Sequence, residues 1–232
     1  MNAGLNIAVV ICAAGSSSRM GGVKKEYQKL KNGDTVLGSS VRVFASVKSI
    51  KTIVIAVNKD TEADARGALP QKFLASDDPK IFFVSGGSSR SASVFNALSF
   101  LMSLDSQAAK INYALIHDGA RPYISAPLTS KIIEAVQKNG AVVPVMPVTE
   151  TPKEIGSNGF IKRHLKRVSI GAAQTPQAFK FPQIYNAHKK AAKVKNTEFT
   201  DDAEIWGRFC GKVAVIDGEA ENKKITFKED LN

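Results

Sequence analysis

The sequence predicts an α/β protein with a doubly wound, mainly parallel sheet. Three observations carry this. Short apolar runs rich in β-branched residues recur along the chain, as strands buried on both faces require. Segments with helical spacing of apolar residues separate them. Polar, glycine-bearing clusters follow three of those runs directly, where ligands collect in such sheets, beyond the carboxyl ends of the strands.

The first run is Ile7-Ala8-Val9-Val10-Ile11-Cys12, and it stops at Ala13-Ala14-Gly15, ahead of a Ser triplet, Arg19, Lys24 and Lys25. Small residues let backbone N–H groups approach a ligand, and the cations suit phosphate. The P-loop is excluded, since five residues separate Gly15 from Gly21 and Gly22 stands where its Lys belongs. The dinucleotide fingerprint is excluded as well, because Ser17 and Ser18 occupy its later positions. A plain Ser/Gly turn with solvated cations remains open on these residues alone.

Val36 to Val47 reads as an amphipathic helix and Thr52 to Val57 as a second strand. A polar helix through Ala65 leads to Pro70, and Ile81 to Val84 is the third strand. It enters the glycine turn Ser85-Gly86-Gly87-Ser88-Ser89-Arg90, followed by a helix over 91–104. Tyr113 to Ile116 is strand four, ending in His117-Asp118-Gly119-Ala120-Arg121-Pro122. Asp118 in that position serves either a turn or a metal, and His117 reads as structural. A helix over 128–137 and a strand from Ala141 to Val145 come next. From Thr149 to Val168 the pattern breaks into Pro, Gly, Asn and basic residues, which reads as a protruding hairpin arm. The main fold resumes at Gln174-Thr175-Pro176-Gln177, with a helix over 181–193 and another capped at Thr200-Asp201-Asp202. Val213 to Ile216 is the last strand.

The 232 residues fit a single domain spanning 1–232. No run approaches the roughly 20 apolar residues of a membrane helix, no secretory signal is apparent, and Cys12 and Cys210 lack metal spacing. A reducing cytoplasm and no membrane partner are expected. Net charge is +11. Its lysine pairs are spread along the chain without an aromatic-interleaved patch, which favours small anionic substrates over nucleic acid.

These clusters, in this order, resemble the 2-C-methyl-D-erythritol 4-phosphate cytidylyltransferases. The matching stretches are Ala13-Ala14-Gly15 through Gly21, Lys25 with Tyr27, Gly86-Gly87 with Arg90 and Ser93, and His117 to Pro122. They continue through Thr151 and Lys153, Gln174 to Phe179, Thr200 to Ala203, and Asn222 with Lys224-Ile225-Thr226. The resemblance implies a Rossmann-like nucleotidyltransferase fold and transfer of CMP from CTP to a polyol phosphate, with pyrophosphate released. It implies Arg19, Lys25 and Lys224 as catalytic cations and Asp118 as a ligand of Mg²⁺. It places Ala13, Ala14, Gly15, Gly87, Ser88 and Ser93 around CTP. It assigns the acceptor phosphate to Arg121, Thr151, Arg167, Thr175 and Lys224. It also implies a homodimer in which the arm at 149–168 reaches the partner's site. Another polyol phosphate such as ribitol 5-phosphate, or a nucleotide sensor on the same fold, are the rival readings. Glu26 stands where the family usually has Gln, and Ser88 where some members have Asp.

Overall fold

In the computed structural model, which describes residues 4–15, 17, 20–105 and 110–231, the first strand is the spine. Strand β1 (Ile7–Cys12) pairs in parallel with β2 (Ile50–Val57) on one side and with β4 (Tyr113–Asp118) on the other. Strand β3 (Lys80–Ser85) adds to β2, again in parallel. The chain therefore builds outward from β1 in one direction and then crosses to its other side. That reversal opens a crevice between the carboxyl ends of β1 and β4, with Cys12 opposite Asp118 in register.

Beyond β4 the sheet changes character. Strand β5 (Ala141–Pro147) is not the neighbour of β4, because β9 (Gln177–Lys180) lies between them, antiparallel to both. Strand β8 (Gly171–Ala173) pairs antiparallel with β5, and β10 (Ala214–Asp217) lies parallel at the β5 edge. The order is β10-β5-β9-β4-β1-β2-β3. Strands β8 and β9 were not expected from the sequence, where 171–180 shows no apolar run. The arm was expected, and it is present as a separate antiparallel pair, β6 (Lys153–Ile155) and β7 (Ile161–His164).

Alternation along β1 assigns its side chains to two cores. Ile7, Val9 and Ile11 face one, Ala8 and Val10 the other. Helix α1 (Val36–Ala45) packs on the first through Leu37, Val41 and Phe44, and α5 (Ala126–Asn139) through Leu128, Ile132 and Val136. Both helices start on a side-chain cap: Gly38 N donates to Thr35 Oγ1 and Leu128 N to Ser125 Oγ. Between them in sequence come the short α2 (Glu62–Gly67) and α3 (Gln71–Leu74) and the longer α4 (Arg90–Asp105). Val94, Ala97, Leu98 and Leu101 of α4 recur at helical spacing on the second core. They meet there Ile184 and Ala187 of α6 (Gln183–Ala191) and Ile205 and Trp206 of α7 (Asp202–Phe209). Among the described residues no helix is long and apolar enough to cross a membrane.

Candidate active site

A cavity of about 520 Å³ opens over the carboxyl ends of β1, β3 and β4. Three sequence clusters converge on it. Ala14, Gly15, Ser17 and Met20 come from the loop after β1, Gly87 to Arg90 and Ser93 from the turn after β3, and Asp118 and Ala120 from the end of β4. Lys25 and Glu26 form another wall, and Lys224 with Thr226 closes it from near the end of the chain.

Close approach of these loops depends on missing side chains. A Cβ on Gly86 would collide with the Ala14 Cβ, and one on Gly119 would lie 2.8 Å from the Cys12 carbonyl oxygen. The glycine turn is braced from inside, since Ser93 Oγ accepts from Gly87 N at 3.0 Å and donates to Ser89 O at 2.9 Å. On the opposite side Lys24 Nζ donates to Gly15 O at 2.7 Å and ties the β1 loop down.

Asp118 is the electrostatic centre. Arg90 Nε donates to its Oδ1 at 3.0 Å and Lys224 Nζ to its Oδ2 at 2.7 Å, with Arg121 Nε 3.8 Å from Oδ2. Burial alone would push the Asp118 carboxyl up, but Arg90, Lys224 and Arg121 outweigh it and hold the group well below the usual carboxylate range. Behind it, Thr175 Oγ1 accepts from Asp118 N at 3.0 Å and lies 3.1 Å from His117 Nδ1, while His117 Nε2 contacts Arg121 O. Burial depresses His117 to about 4, so the ring is neutral and structural.

Lys224 reaches the cavity because its segment is laced to the sheet. Ile225 N donates to Ala120 O, Asn222 Nδ2 to Thr175 O and Arg121 Nη1 to Asn222 O. Gln174 Nε2 adds a bond to Glu219 O. The motifs around Arg121, Gln174 and Asn222 thus form one joint.

Of the residues expected from the sequence, Ala14, Gly15, Lys25, Gly87, Ser88, Ser93, Asp118 and Lys224 line the cavity. Ala13 is fully buried beneath it. Arg121 and Thr175 touch Asp118 from outside the lining, and Arg121 Nε is buried with no hydrogen-bond partner among the described residues. Thr151 and Arg167 are on the arm and not on the cavity wall, and Arg167 Nη1 donates to Thr149 O at 2.8 Å. Arg19 lies outside the described residues. Lys25, expected as a catalytic cation, is only 8% exposed. Sequence reasoning left Arg90 and Asp202 out of the site. Arg90 Nη1 donates to Asp202 Oδ2 at 2.8 Å, a pairing across 112 positions that no local pattern reveals.

The cleft brings a carboxylate and cations suited to phosphate into one place. Mg²⁺ takes one or two carboxylates together with substrate phosphates and water. The strongly ionised Asp118, facing the cavity, fits such a partial ligand set. Among the described residues no group of three acidic, His or Cys side chains would build an all-protein cage.

The 2-C-methyl-D-erythritol 4-phosphate cytidylyltransferase (IspD) family model matches residues 7–232. A protein of that name from Bacillus mycoides is 34% identical over 225 residues, covering 96% of this chain and 93% of its own. A bifunctional IspD/IspF enzyme of Brucella anthropi is 34% identical over 228 residues, 97% of this chain and 53% of its own. The chain spans about half the length of the bifunctional relatives it matches. Among solved structures, 4-diphosphocytidyl-2C-methyl-D-erythritol synthase of Anaerococcus prevotii superposes with TM-score 0.82 at 30% identity, covering 98% of this chain and 95% of its own. The cytidylyltransferase of Thermus thermophilus gives 0.73, also at 30% identity, with 97% and 95% covered.

Proposed function

The chain belongs to the 2-C-methyl-D-erythritol 4-phosphate cytidylyltransferase family, and from that premise we propose that it transfers CMP from CTP to 2-C-methyl-D-erythritol 4-phosphate. An oxygen of the acceptor phosphate attacks the α-phosphorus of CTP, a new P–O–P bond forms, and the bond to pyrophosphate breaks. The observation that carries the reading is the convergence of Arg90, Lys224 and Arg121 on one ionised carboxylate, Asp118, at the crevice between β1 and β4, with Lys25 on the wall of the same cavity.

Attack of one phosphate on another joins two anions. Fixed cations offset that repulsion and stabilise the charge of the transition state. Lys25 and Lys224 take this role, and by the resemblance Arg19 joins them from the β1 loop. Lys224, its side chain 38% exposed, is free to turn its ammonium from Asp118 towards a phosphate oxygen. Asp118 would hold a divalent cation, which when bound neutralises triphosphate charge. No side-chain nucleophile is needed, because the attacking oxygen belongs to the substrate, and catalysis is positioning with electrostatics. The backbone around Ala14, Gly15, Gly87 and Ser88 receives the nucleoside, and Ser93 acts by bracing that turn. Arg121, whose Nε makes no hydrogen bond and only a 3.8 Å ion-pair contact with Asp118, is the acceptor-side cation in this chain. Thr151 and Arg167 serve the acceptor from the arm, and Arg167 does so in a partner's cleft of a homodimer.

The test is pyrophosphate release from CTP, UTP and ATP against a panel of polyol phosphates. CTP with methylerythritol phosphate should give the highest kcat/KM. Faster turnover of ribitol 5-phosphate would overturn the acceptor assignment, and equal use of UTP or ATP the donor assignment.

A further inference from the structure

We propose that Asp202 and Arg90 are positioning residues for this reaction, forming a relay from buried Asp202 on α7 through half-buried Arg90 that fixes the Asp118 carboxylate at the cleft. The inference rests on the reading of that cleft as the CTP site. Arg90 opens α4, Asp202 opens α7 and Asp118 ends β4, so three elements meet at one guanidinium. Its Nε holds Asp118 Oδ1 at 3.0 Å while its Nη1 holds Asp202 Oδ2 at 2.8 Å. The planar fork of arginine presents donors in two directions at once, which a lysine point charge does not.

Asp202 is fully buried, and His188 Nε2 of α6 lies 3.1 Å from its second oxygen, a close contact without hydrogen-bond alignment. Gln177 of β9 fixes the start of α7 from both sides, donating to Asp201 Oδ2 and accepting from Ala203 N. The helix N-terminus adds favourable potential for the carboxylate. Arg90 also lines the cavity. A cation there could bind a triphosphate directly through its remaining N–H groups, yet its Nε and one Nη1 hydrogen are already held by two carboxylates, which fixes the plane of the guanidinium. The geometry therefore makes it a holder of Asp118, and Asp202 is what keeps it in that role.

Removing either member should loosen Asp118 without emptying the cleft of positive charge. Asp202→Asn keeps shape and removes the charge, and Arg90→Lys keeps the charge and removes the fork. For each, kcat should fall by about 10–100-fold, the cost of misplacing a reactive constellation by about 1 Å, with KM for CTP unchanged or lower. The double variant should lose no more than the worse single, since both break one relay. Without acceptor, calorimetry of CTP binding across a Mg²⁺ series should show wild-type affinity at saturating Mg²⁺ and a several-fold higher Mg²⁺ requirement. Circular dichroism and a cooperative melt establish folding, and if Asp202→Asn does not fold, Arg90→Lys decides alone. Unchanged kcat and Mg²⁺ requirement would overturn the relay, as would additive losses. A tenfold loss of CTP affinity at saturating Mg²⁺ in Arg90→Lys would make Arg90 a direct triphosphate ligand and overturn it too. Wild-type turnover, measured alongside, judges the transferase reading separately: a wild type that binds CTP and releases no pyrophosphate sinks that reading, while the Mg²⁺ series still judges the relay.

Discussion

Glu26 shows how much one side chain can matter in this cleft. It is 3% exposed, lies on the cavity wall and accepts from Ser17 Oγ at 3.3 Å. Burial pushes its carboxyl up from the ordinary value near 4.5, more than the neighbouring lysines and Ser17 push it down. The folded state then keeps the proton at pH values where the unfolded chain has released it. Folding is therefore penalised progressively as pH rises from about 4.5 through the raised pKa. Glu26→Gln removes that penalty and should be more stable than wild type at pH 7, with the advantage shrinking towards pH 4. Urea unfolding at both pH values checks it, and an equal difference at both would contradict it. The resemblance implies Gln at this position. The burial that gives the exchange its consequence was not legible in the sequence, because it arises when the turn over 25–27 closes against the loop after β1.

At the scale of elements, the strands around β1 were legible because each is a continuous apolar run. Helix α1 announced itself by the spacing of its apolar residues and α7 by the cap at Asp201. Strand β9 escaped because Gln177-Ala178-Phe179-Lys180 is short, begins with a polar residue, and takes its direction from its neighbours β4 and β5. Its placement changes the meaning of Thr175, two residues ahead of it. Thr175, expected at the acceptor phosphate, spends its hydroxyl on Asp118 N and His117 Nδ1 in the interior. Thr175→Val leaves both groups unpaired at nearly unchanged volume. It should lower stability by about 1–3 kcal/mol, a fall in Tm of about 2–4 °C per kcal/mol for a chain of this size. A direct acceptor role predicts the opposite pattern, intact stability with a raised KM for the acceptor, and thermal melts beside acceptor titrations separate the two.

For the whole molecule, the arm poses the question of assembly. It carries Arg167 and exposes Ile155, Phe160, Ile161 and Val168, and in the proposed homodimer it completes the partner's cleft. Lys25→Met is the suitable partner variant, since the buried stem is kept while the charge is lost. Lys25→Met and Arg167→Ala should each be nearly inactive. After co-refolding, half of the dimers are mixed and each has one intact site, so about a quarter of wild-type activity should return. No recovery would mean that Arg167 serves its own chain. The central claim lies one step earlier, in the bond that is made. Phosphorus NMR of CTP incubated with methylerythritol phosphate and Mg²⁺ reads that bond directly. The account predicts the paired signals of a diphosphate bridge joining cytidine to the polyol, growing in step with pyrophosphate. Pyrophosphate accompanied by free CMP, or an unchanged triphosphate, would contradict it.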